Sequence, residues 1–94
     1  MVNLKDTIPL MESEDYKERF VAEYHQTKTR YEKLHKMCIK YEADTLPFKP
    51  NCPLHLLEEQ KHHMGEYLHC LEIRAEIEKI DLDAPFRCQC SSKG

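Results

Sequence analysis

The most suggestive chemistry in this sequence is a basic segment, residues 26–41, which carries five lysine and arginine residues against a single glutamate. On a helix, Lys33, Lys36 and Lys40 share one face, where like charges repel unless an anion lies between them. Several converging cations hold phosphate groups through charge-assisted hydrogen bonds, and nearby tyrosine rings offer surfaces on which a nucleobase can stack. A solvated helix face, with bases toward the helix C-terminus, is the alternative interpretation. The anion-binding interpretation predicts a pocket formed by Arg30, Tyr31, Lys33, Lys36, Lys40, Tyr41, His62 and His63.

Cysteine and histidine are plentiful, so metal binding and nucleophilic catalysis have to be considered. A structural zinc site needs four converging ligands, and only Cys52 with His55 has the spacing of a zinc knuckle. A catalytic cysteine needs a base within hydrogen-bond reach. His35 and Cys38 are helix neighbours, but the chain has two glycines and no loop that resembles an oxyanion hole. The sequence therefore predicts no catalytic residue, no metal site and no cofactor.

Two long segments without helix breakers must position these residues. Residues 11–45 contain neither glycine nor proline, three prolines follow at 47, 50 and 53, and residues 54–84 contain only one breaker, Gly65. The pattern predicts an all-α fold, an antiparallel two-helix hairpin with a proline-rich loop. We expect a flexible or loosely docked arm over residues 1–12, the hairpin domain over 13–82, and a flexible tail over 83–94. Whether Cys88 and Cys90 in that tail bind metal stays open.

Apolar stripes predict how the two helices pack, with Ser13 expected to cap the first helix and Pro53 to open the second. The second helix has two stripes, and one partner helix cannot bury both. Either the seam drifts around the helix, since 3.6 does not divide 7, or the second stripe is a subunit interface in an oligomeric helical bundle. Gly65 indicates either a close helix approach or an exposed position. The first-helix stripe is Phe20, Tyr24, Thr27, Tyr31, Leu34, Cys38 and Tyr41; the second helix carries Leu54, Leu57, Met64, Leu68, Leu71 and Ala75; the interface stripe is Cys70, Ile73, Ile77 and Ile80.

Length and charge narrow the classes of function. A chain of 94 residues forms at most one small domain, whose thin core favours a homo-oligomer. The net charge of −3 disfavours direct binding to duplex nucleic acid, and no segment is apolar enough for a membrane span. The N-terminus is too polar for a secretory signal, so the five cysteines are expected to be reduced thiols in the cytoplasm.

Several short motifs carry a resemblance to a known family. The chain resembles short helical proteins encoded by phages and prophages of Firmicutes and other gut bacteria, a family related to one from crAss-like phages. The resemblance runs from about residue 11 to 82 and implies a helical fold without an assigned catalytic role. By looser analogy, small phage hairpin proteins include oligomeric sponges for cyclic-nucleotide immune signals and direct blockers of nucleases. The motifs are 15–20 (DYKERF), 30–34 (RYEKL), 41–43 (YEA), 52–53 (CP), 56–57 (LL), 64–65 (MG) and 71–77 (LEIRAEI).

Three hypotheses of function follow. The first is a non-enzymatic anti-defence protein that sequesters a cyclic-nucleotide-type signal in the host bacterial cytoplasm. The second is a direct protein inhibitor of a host nuclease or effector, similar to an anti-CRISPR, in which the acidic end of the second helix occupies a basic channel. The third is a structural or oligomerisation component of a phage regulatory assembly. The expected partners are accordingly an anionic small molecule, a host defence protein, or further copies of the chain.

Overall fold

The computed structural model describes residues 4–84, whose regular secondary structure is entirely helical, without any strand. A 3₁₀-helix, Leu4–Thr7, leads directly into a short helix α1, Ile8–Met11. Two long helices follow: α2, Tyr16–Glu42, and α3, Leu54–Glu78. The all-α prediction is therefore confirmed. The predicted tail lies almost wholly outside the described residues, including Cys88 and Cys90.

The long helices begin close to the residues that the sequence indicated, with two changes. Asp15, rather than Ser13, caps α2: its carboxylate accepts the Lys17 backbone N–H at 3.0 Å, while the Ser13 hydroxyl accepts the backbone N–H of Asp15. Pro53 lies one residue before α3 in an extended conformation, rather than at the first helical position. An aspartate cap is as favourable as a serine cap, so either choice satisfies the free N–H groups of the first turn.

Both long helices end in the same kind of turn, a Schellman motif without glycine. Asp44 and Lys79 adopt left-handed conformations, each with φ of 60°. The next residue folds back in each case: the Thr45 N–H bonds to the Lys40 carbonyl at 2.9 Å, and the Ile80 N–H bonds to the Ala75 carbonyl at 2.8 Å. This 6→1 hydrogen bond closes the helix and redirects the chain.

Contacts between α2 and α3 occur in reverse order along the two helices, so the helices run antiparallel. Tyr16 donates to Glu78 at 3.1 Å and Tyr24 donates to Glu72 at 2.7 Å, both near the start of α2. Further along, Lys61 Nζ lies 3.2 Å from His35 Nδ1. The basic half of α2 consequently lies beside the first half of α3.

The main core lies at the end of the helix pair that is remote from the proline-rich segment. Most of the predicted seam is buried or half-buried there, and residues from outside the two helices complete it: Leu10 and Leu82 pack against the cluster. His25 is not part of the heptad stripe, but it is buried, and its ring Nε2 lies 2.7 Å from the Leu82 carbonyl oxygen. The segment that contains Leu82 packs over this end of α2 and so covers His25. The buried cluster is Phe20, Val21, Tyr24, Leu68, Leu71, Ala75 and Ile80.

The predicted N-terminal arm has a defined place in this structure. Its residues 4–11 are helical and pack against α2, and Thr7 is fully buried. The Thr7 hydroxyl accepts a hydrogen bond from the Gln26 amide at 2.9 Å and donates to the Leu4 carbonyl at 2.6 Å. The segment therefore covers part of α2; its flexibility stays a prediction.

The predicted interface stripe divides into two parts. Cys70, Ile73 and Ile77 lie on the outer face of α3, where Ile73 and Ile77 are 46% and 72% exposed. Ile80 is only 8% exposed and belongs to the core of its own chain. The left-handed turn at Lys79 causes this difference, because it takes Ile80 off the helical register that the spacing assumed. The interface role of the other three residues stays a prediction.

Candidate functional site

The site is built around one contact between the two long helices. Gly65 of α3 faces the ring of Tyr31 on α2: a methyl group placed on Gly65 would lie 3.3 Å from Tyr31 Cε1 and 3.6 Å from its hydroxyl oxygen. The glycine thus leaves the space in which the half-buried ring lies. Of the two interpretations of Gly65, close approach is the one that the structure shows, and the approach is made by a side chain.

A cavity of about 700 Å³ opens on one side of the Tyr31 ring. Cations and titratable rings line it: Lys61 comes from the second turn of α3, and His62 and His69 lie on the same side of that helix. His35 extends the aromatic wall, since its ring lies parallel to that of Tyr31, with 6.4 Å between the ring centroids. Such cationic and aromatic groups suit a ligand that combines a negative charge with a planar ring.

Charge in this larger cavity is partly balanced by one carboxylate. Glu66 lines the cavity and lies 3.5 Å from His62 Nε2 in an exposed pair one helical turn apart. Exposed pairs of this kind contribute little to stability and rearrange readily. The Lys61 ammonium lies 3.2 Å from His35 Nδ1, and its charge also acts on the nearby carboxylate of Glu58. Among residues 4–84 it forms no close ion pair that an incoming anion would have to break.

A second cavity, of about 340 Å³, adjoins the first at Tyr31, and most of its other lining residues come from earlier on α2 and later on α3. Tyr31, Gly65 and His69 line both cavities, so the tyrosine ring forms a shared wall between them. Lys28, Glu32 and Glu72 give the smaller cavity both signs of charge. It can therefore accept a group that has hydrogen-bond donors and acceptors side by side.

The hydroxyl of Tyr24 anchors one wall of the smaller cavity. It donates to Glu72 at 2.7 Å, and Lys28 Nζ lies 5.7 Å from the centroid of the Tyr24 ring. Burial, and then the hydrogen bond to Glu72, raise the pKa of Tyr24 well above its ordinary value of 10.0. The phenol is consequently a neutral donor at physiological pH, and it holds the Glu72 carboxylate in place.

Comparison with known families gives a match over most of the helix pair. A family model described as Sequestin matches residues 14–77. The chain belongs to the Sequestin family. No curated protein and no solved structure matches it.

The Sequestin match covers the residues of both cavities. It runs from just before α2 to the last turn of α3, whereas the 3₁₀-helix, α1 and residues 78–84 lie outside it. The match lies within residues 11–82, the approximate span of the resemblance to short helical phage proteins. The stated relation to crAss-like phage proteins stays a prediction.

The predicted pocket residues do not all line the same cavity. Tyr31 and His62 line the larger cavity, and His63 is exposed beside His62, with 5.6 Å between their ring centroids. Tyr41 lies elsewhere, in a cavity of about 540 Å³ that it forms with the proline-rich segment.

The four predicted cations of α2 are exposed, and Lys33, Lys36 and Lys40 point away from α3. With 3.6 residues per turn, these three lysines fall on the face opposite to Tyr31 and Cys38, which face the partner helix. Arg30 is also exposed and does not line the larger cavity. The eight residues therefore do not line one common cavity of this chain, and the role of each of them in binding stays a prediction.

Residues that the sequence did not mark as ligands complete the site. His69, Lys28 and Glu72 line the cavities, and Cys70, which was assigned to the interface stripe, lies at the edge of the larger one. Mid-helix Gly65 was the signal that could have located the site, because a glycine in that position is unfavourable unless something occupies the space beside it.

The structure gives little support for nucleophilic catalysis by cysteine or for metal binding among the described residues. Burial raises the pKa of the Cys38 thiol, which disfavours the nucleophilic thiolate. Among residues 4–84 no group of three or more histidine, cysteine or acidic side chains could hold a metal ion. In the same part of the chain no helix is long and apolar enough to cross a membrane.

Proposed function

We propose that this protein sequesters a small anionic molecule, most specifically a cyclic-nucleotide-type immune signal, and that it acts without catalysis. The observation that carries the proposal is the Tyr31–Gly65 contact, which creates two adjoining cavities inside the region matched by the Sequestin family. The family name indicates sequestration of a molecule. A phage-encoded protein of this kind would remove the signal from the host bacterial cytoplasm by stoichiometric binding.

The larger cavity supports an anionic ligand through three nitrogen-bearing side chains, those of Lys61, His62 and His69. Lysine and protonated histidine bind phosphate oxygens by charge-assisted hydrogen bonds, which are about twice as strong as neutral ones. The Tyr31 ring supplies a stacking surface. The overall negative charge of the protein does not oppose this, because phosphate binding depends on the local field of the cavity.

A homo-oligomer is part of the proposal. Cys70, Ile73 and Ile77 leave an exposed apolar stripe on α3, next to the larger cavity. Contact between two copies would cover this stripe and could bring the exposed cations of one copy (Arg30, Lys33, Lys36 and Lys40) toward ligand bound by the other. In that arrangement one copy holds the ligand in its cavities, and the predicted cations of the other copy contact the same ligand.

Isothermal titration calorimetry against a panel of cyclic di- and trinucleotides tests the function. We expect saturable heat with at least one nucleotide, and a loss of at least tenfold in affinity for Lys61→Met, since hydrogen bonds to a charged group contribute about 1.5–3 kcal/mol. Lys17→Met is the matched control, because Lys17 is exposed on α2 and lines neither cavity. A paired Lys33→Glu and Lys36→Glu variant measures whether the exposed cations contribute. Absence of heat with every nucleotide would remove the proposal.

Direct inhibition of a host nuclease or effector is the second candidate. The observation that favours it is the exposure of Ile73 and Ile77 in the C-terminal half of α3, in a stretch of chain that also carries the exposed acidic residues Glu76, Asp81 and Asp83. Apolar and acidic groups together suit a basic partner. Association driven by these charges should slow as salt is raised. Capture of one host protein at low salt, with a loss of capture in an Ile77→Ser variant, would favour this candidate over nucleotide binding.

The third hypothesis, a structural component of a phage assembly, predicts an oligomer that binds neither nucleotide nor host protein. Light scattering combined with the two binding experiments separates it from the others. The structural hypothesis requires a stable oligomer and a negative result in both binding experiments.

A further inference from the structure

We propose that His35 is a positioning residue for anion binding: it fixes the Lys61 side chain at the wall of the larger cavity before any ligand arrives. His35 is not among the residues that line this cavity, so it acts through Lys61 rather than on the ligand. The inference rests on the proposed function, because it concerns the cavity to which the anion is assigned. It adds a binding role for a residue that is not among the eight predicted ligand residues.

The contact that carries the inference joins the two long helices. Lys61 Nζ on α3 lies 3.2 Å from His35 Nδ1 on α2, which is hydrogen-bond distance. A lysine ammonium has three N–H donors and no acceptor, so Lys61 donates this bond and Nδ1 accepts it. Nδ1 therefore carries no proton, and the His35 ring is the neutral tautomer that is protonated at Nε2.

The His35 ring is itself held by a neighbour one helical turn earlier. Residues four apart lie side by side on a helix, and the rings of Tyr31 and His35 are parallel to within 3°, with 6.4 Å between their centroids. This separation lies in the range of offset-stacked aromatic pairs. Tyr31 in turn lies against Gly65 of α3. The packing of Tyr31 between the helices therefore restricts His35, and His35 restricts Lys61.

A neutral acceptor is the partner that orients Lys61 without weakening it as a cation. Lysine has a long flexible side chain, and immobilising such a side chain on binding costs affinity. A carboxylate would immobilise it in advance, but would also neutralise its charge. The charge of Lys61 acts on Glu58, yet among residues 4–84 no carboxylate forms a close ion pair with Lys61. The imidazole nitrogen holds the ammonium and leaves its positive charge to the ligand.

The solvent exposure of this hydrogen bond separates its effect on binding from its effect on folding. Water competes for both groups, so the bond contributes little to the free energy of unfolding. The restriction of Lys61 matters only when an anion binds. We therefore expect removal of the acceptor to weaken anion binding while Tm stays almost unchanged.

Nuclear magnetic resonance on the full chain, isotopically labelled at the histidine ring nitrogens, tests the contact without any ligand. The spectrum is recorded at about pH 8, above the range in which histidine side chains ordinarily change charge. We expect a bare Nδ1 and a protonated Nε2 for His35, whose signals are assigned by their disappearance in His35→Asn. A proton on Nδ1 would overturn the inference, because Lys61 would then have no acceptor there.

Titration with inorganic pyrophosphate, followed through the backbone amide resonances, tests the effect on anion binding and also measures weak affinities. We expect His35→Leu to weaken binding by roughly three- to tenfold, the cost of immobilising one flexible side chain. His35→Asn should stay within about twofold of the original chain, since the asparagine side-chain oxygen can accept a bond near the Nδ1 position. His55→Leu is the matched control, because His55 is exposed on α3 and lines neither cavity.

A double-mutant cycle shows whether His35 acts through Lys61. In the Lys61→Met background, His35→Leu should change the pyrophosphate affinity by less than about twofold, because no ammonium is left to position. A loss as large as in the original background would overturn the inference, since it would then arise from the Tyr31 ring or from the fold.

The outcomes separate this inference from the proposed function. Unchanged affinity in His35→Leu, or an equal loss in His35→Asn, would overturn the positioning role and leave sequestration in place. Failure of the original chain to bind pyrophosphate would also overturn it, because Lys61 would not be holding a phosphate group; the nucleotide panel judges sequestration separately. Failure of every nucleotide, with the pyrophosphate results as expected, would remove the proposed function and keep the role of His35.

Discussion

Replacing Gly65 with alanine should separate stability from binding. Alanine is favoured over glycine in a helix interior by about 0.8–1 kcal/mol. The new methyl group would lie 3.3 Å from Tyr31 Cε1, which is closer than ordinary van der Waals contact, so the ring has to move by a few tenths of an ångström. The ring is half-buried and can yield, so we expect the gain to be reduced rather than reversed.

The expected result for Gly65→Ala is a net stabilisation of about 0.3–0.8 kcal/mol, together with weaker ligand binding. For a domain of this size, 1 kcal/mol corresponds to a shift of about 4–8 °C in Tm. Binding weakens because the shared wall of both cavities is displaced, and misplacement of a stacking ring costs affinity even where no contact is deleted. Urea denaturation gives the free energy of unfolding, and calorimetry gives the affinity.

A double-mutant cycle with Tyr31→Leu supplies the control. Leucine removes the ring that the methyl group would meet, so Gly65→Ala in the Tyr31→Leu background should show the full helix-propensity gain of about 0.8–1 kcal/mol. The two measured gains should therefore differ. Equal gains in both backgrounds, combined with unchanged affinity in Gly65→Ala, would refute the role assigned to the Tyr31–Gly65 contact.

Three further predictions concern the rest of the fold. Lys79→Gly should stabilise the protein by about 0.5–1 kcal/mol in urea denaturation, because glycine adopts the left-handed conformation there without the steric cost of a side chain; Glu78→Gly, one residue earlier and helical, should destabilise it. The hydrogen bond to Glu42 raises the pKa of Glu58 above its ordinary 4.5, so the folded state holds the Glu58 proton more tightly than the unfolded state does. That contribution is fully present below the unfolded pKa and is lost as pH rises through the raised value. Glu58→Gln should thus raise Tm at pH 7 and lose this advantage as pH approaches 4.5, and Glu59→Gln is the matched control. Finally, Phe20→Ala should cost about 3–5 kcal/mol, since Phe20 is buried in the core cluster; a cost below about 1 kcal/mol at this position would contradict the placement of the core.

The two faces of α2 show why the candidate site could be predicted only in part from the sequence. The spacing of Tyr31, Leu34 and Cys38 correctly indicated the side of α2 that meets α3. The same helical geometry fixes Lys33 and Lys36 on the opposite side, where they are exposed. Charge density drew attention to these lysines, although a dense basic face is also what a solvated helix presents. Of the predicted ligand residues, Tyr31 and His62 line the larger cavity.

The groups that complete the cavities depend on how the two helices are placed against each other. Lys28, His69 and Glu72 carry no local pattern that marks them as neighbours, and they meet only because α2 and α3 pack with one rotation and one axial offset. Periodicity along each helix specifies which stripe is buried, but not the offset between two stripes. The Tyr31–Gly65 contact is a consequence of that offset.

The sequence by itself determined the helices of this protein. Local steric effects are sufficient for that: breaker-free segments propagate as helix, and the prolines at 47, 50 and 53 prevent one continuous helix. Only the tertiary structure decided that the Tyr31 ring lies against Gly65, that residues 4–11 cover part of α2, and that Ile80 turns into the core. Each of these depends on contacts between residues far apart in the chain or on a left-handed turn that lysine does not favour.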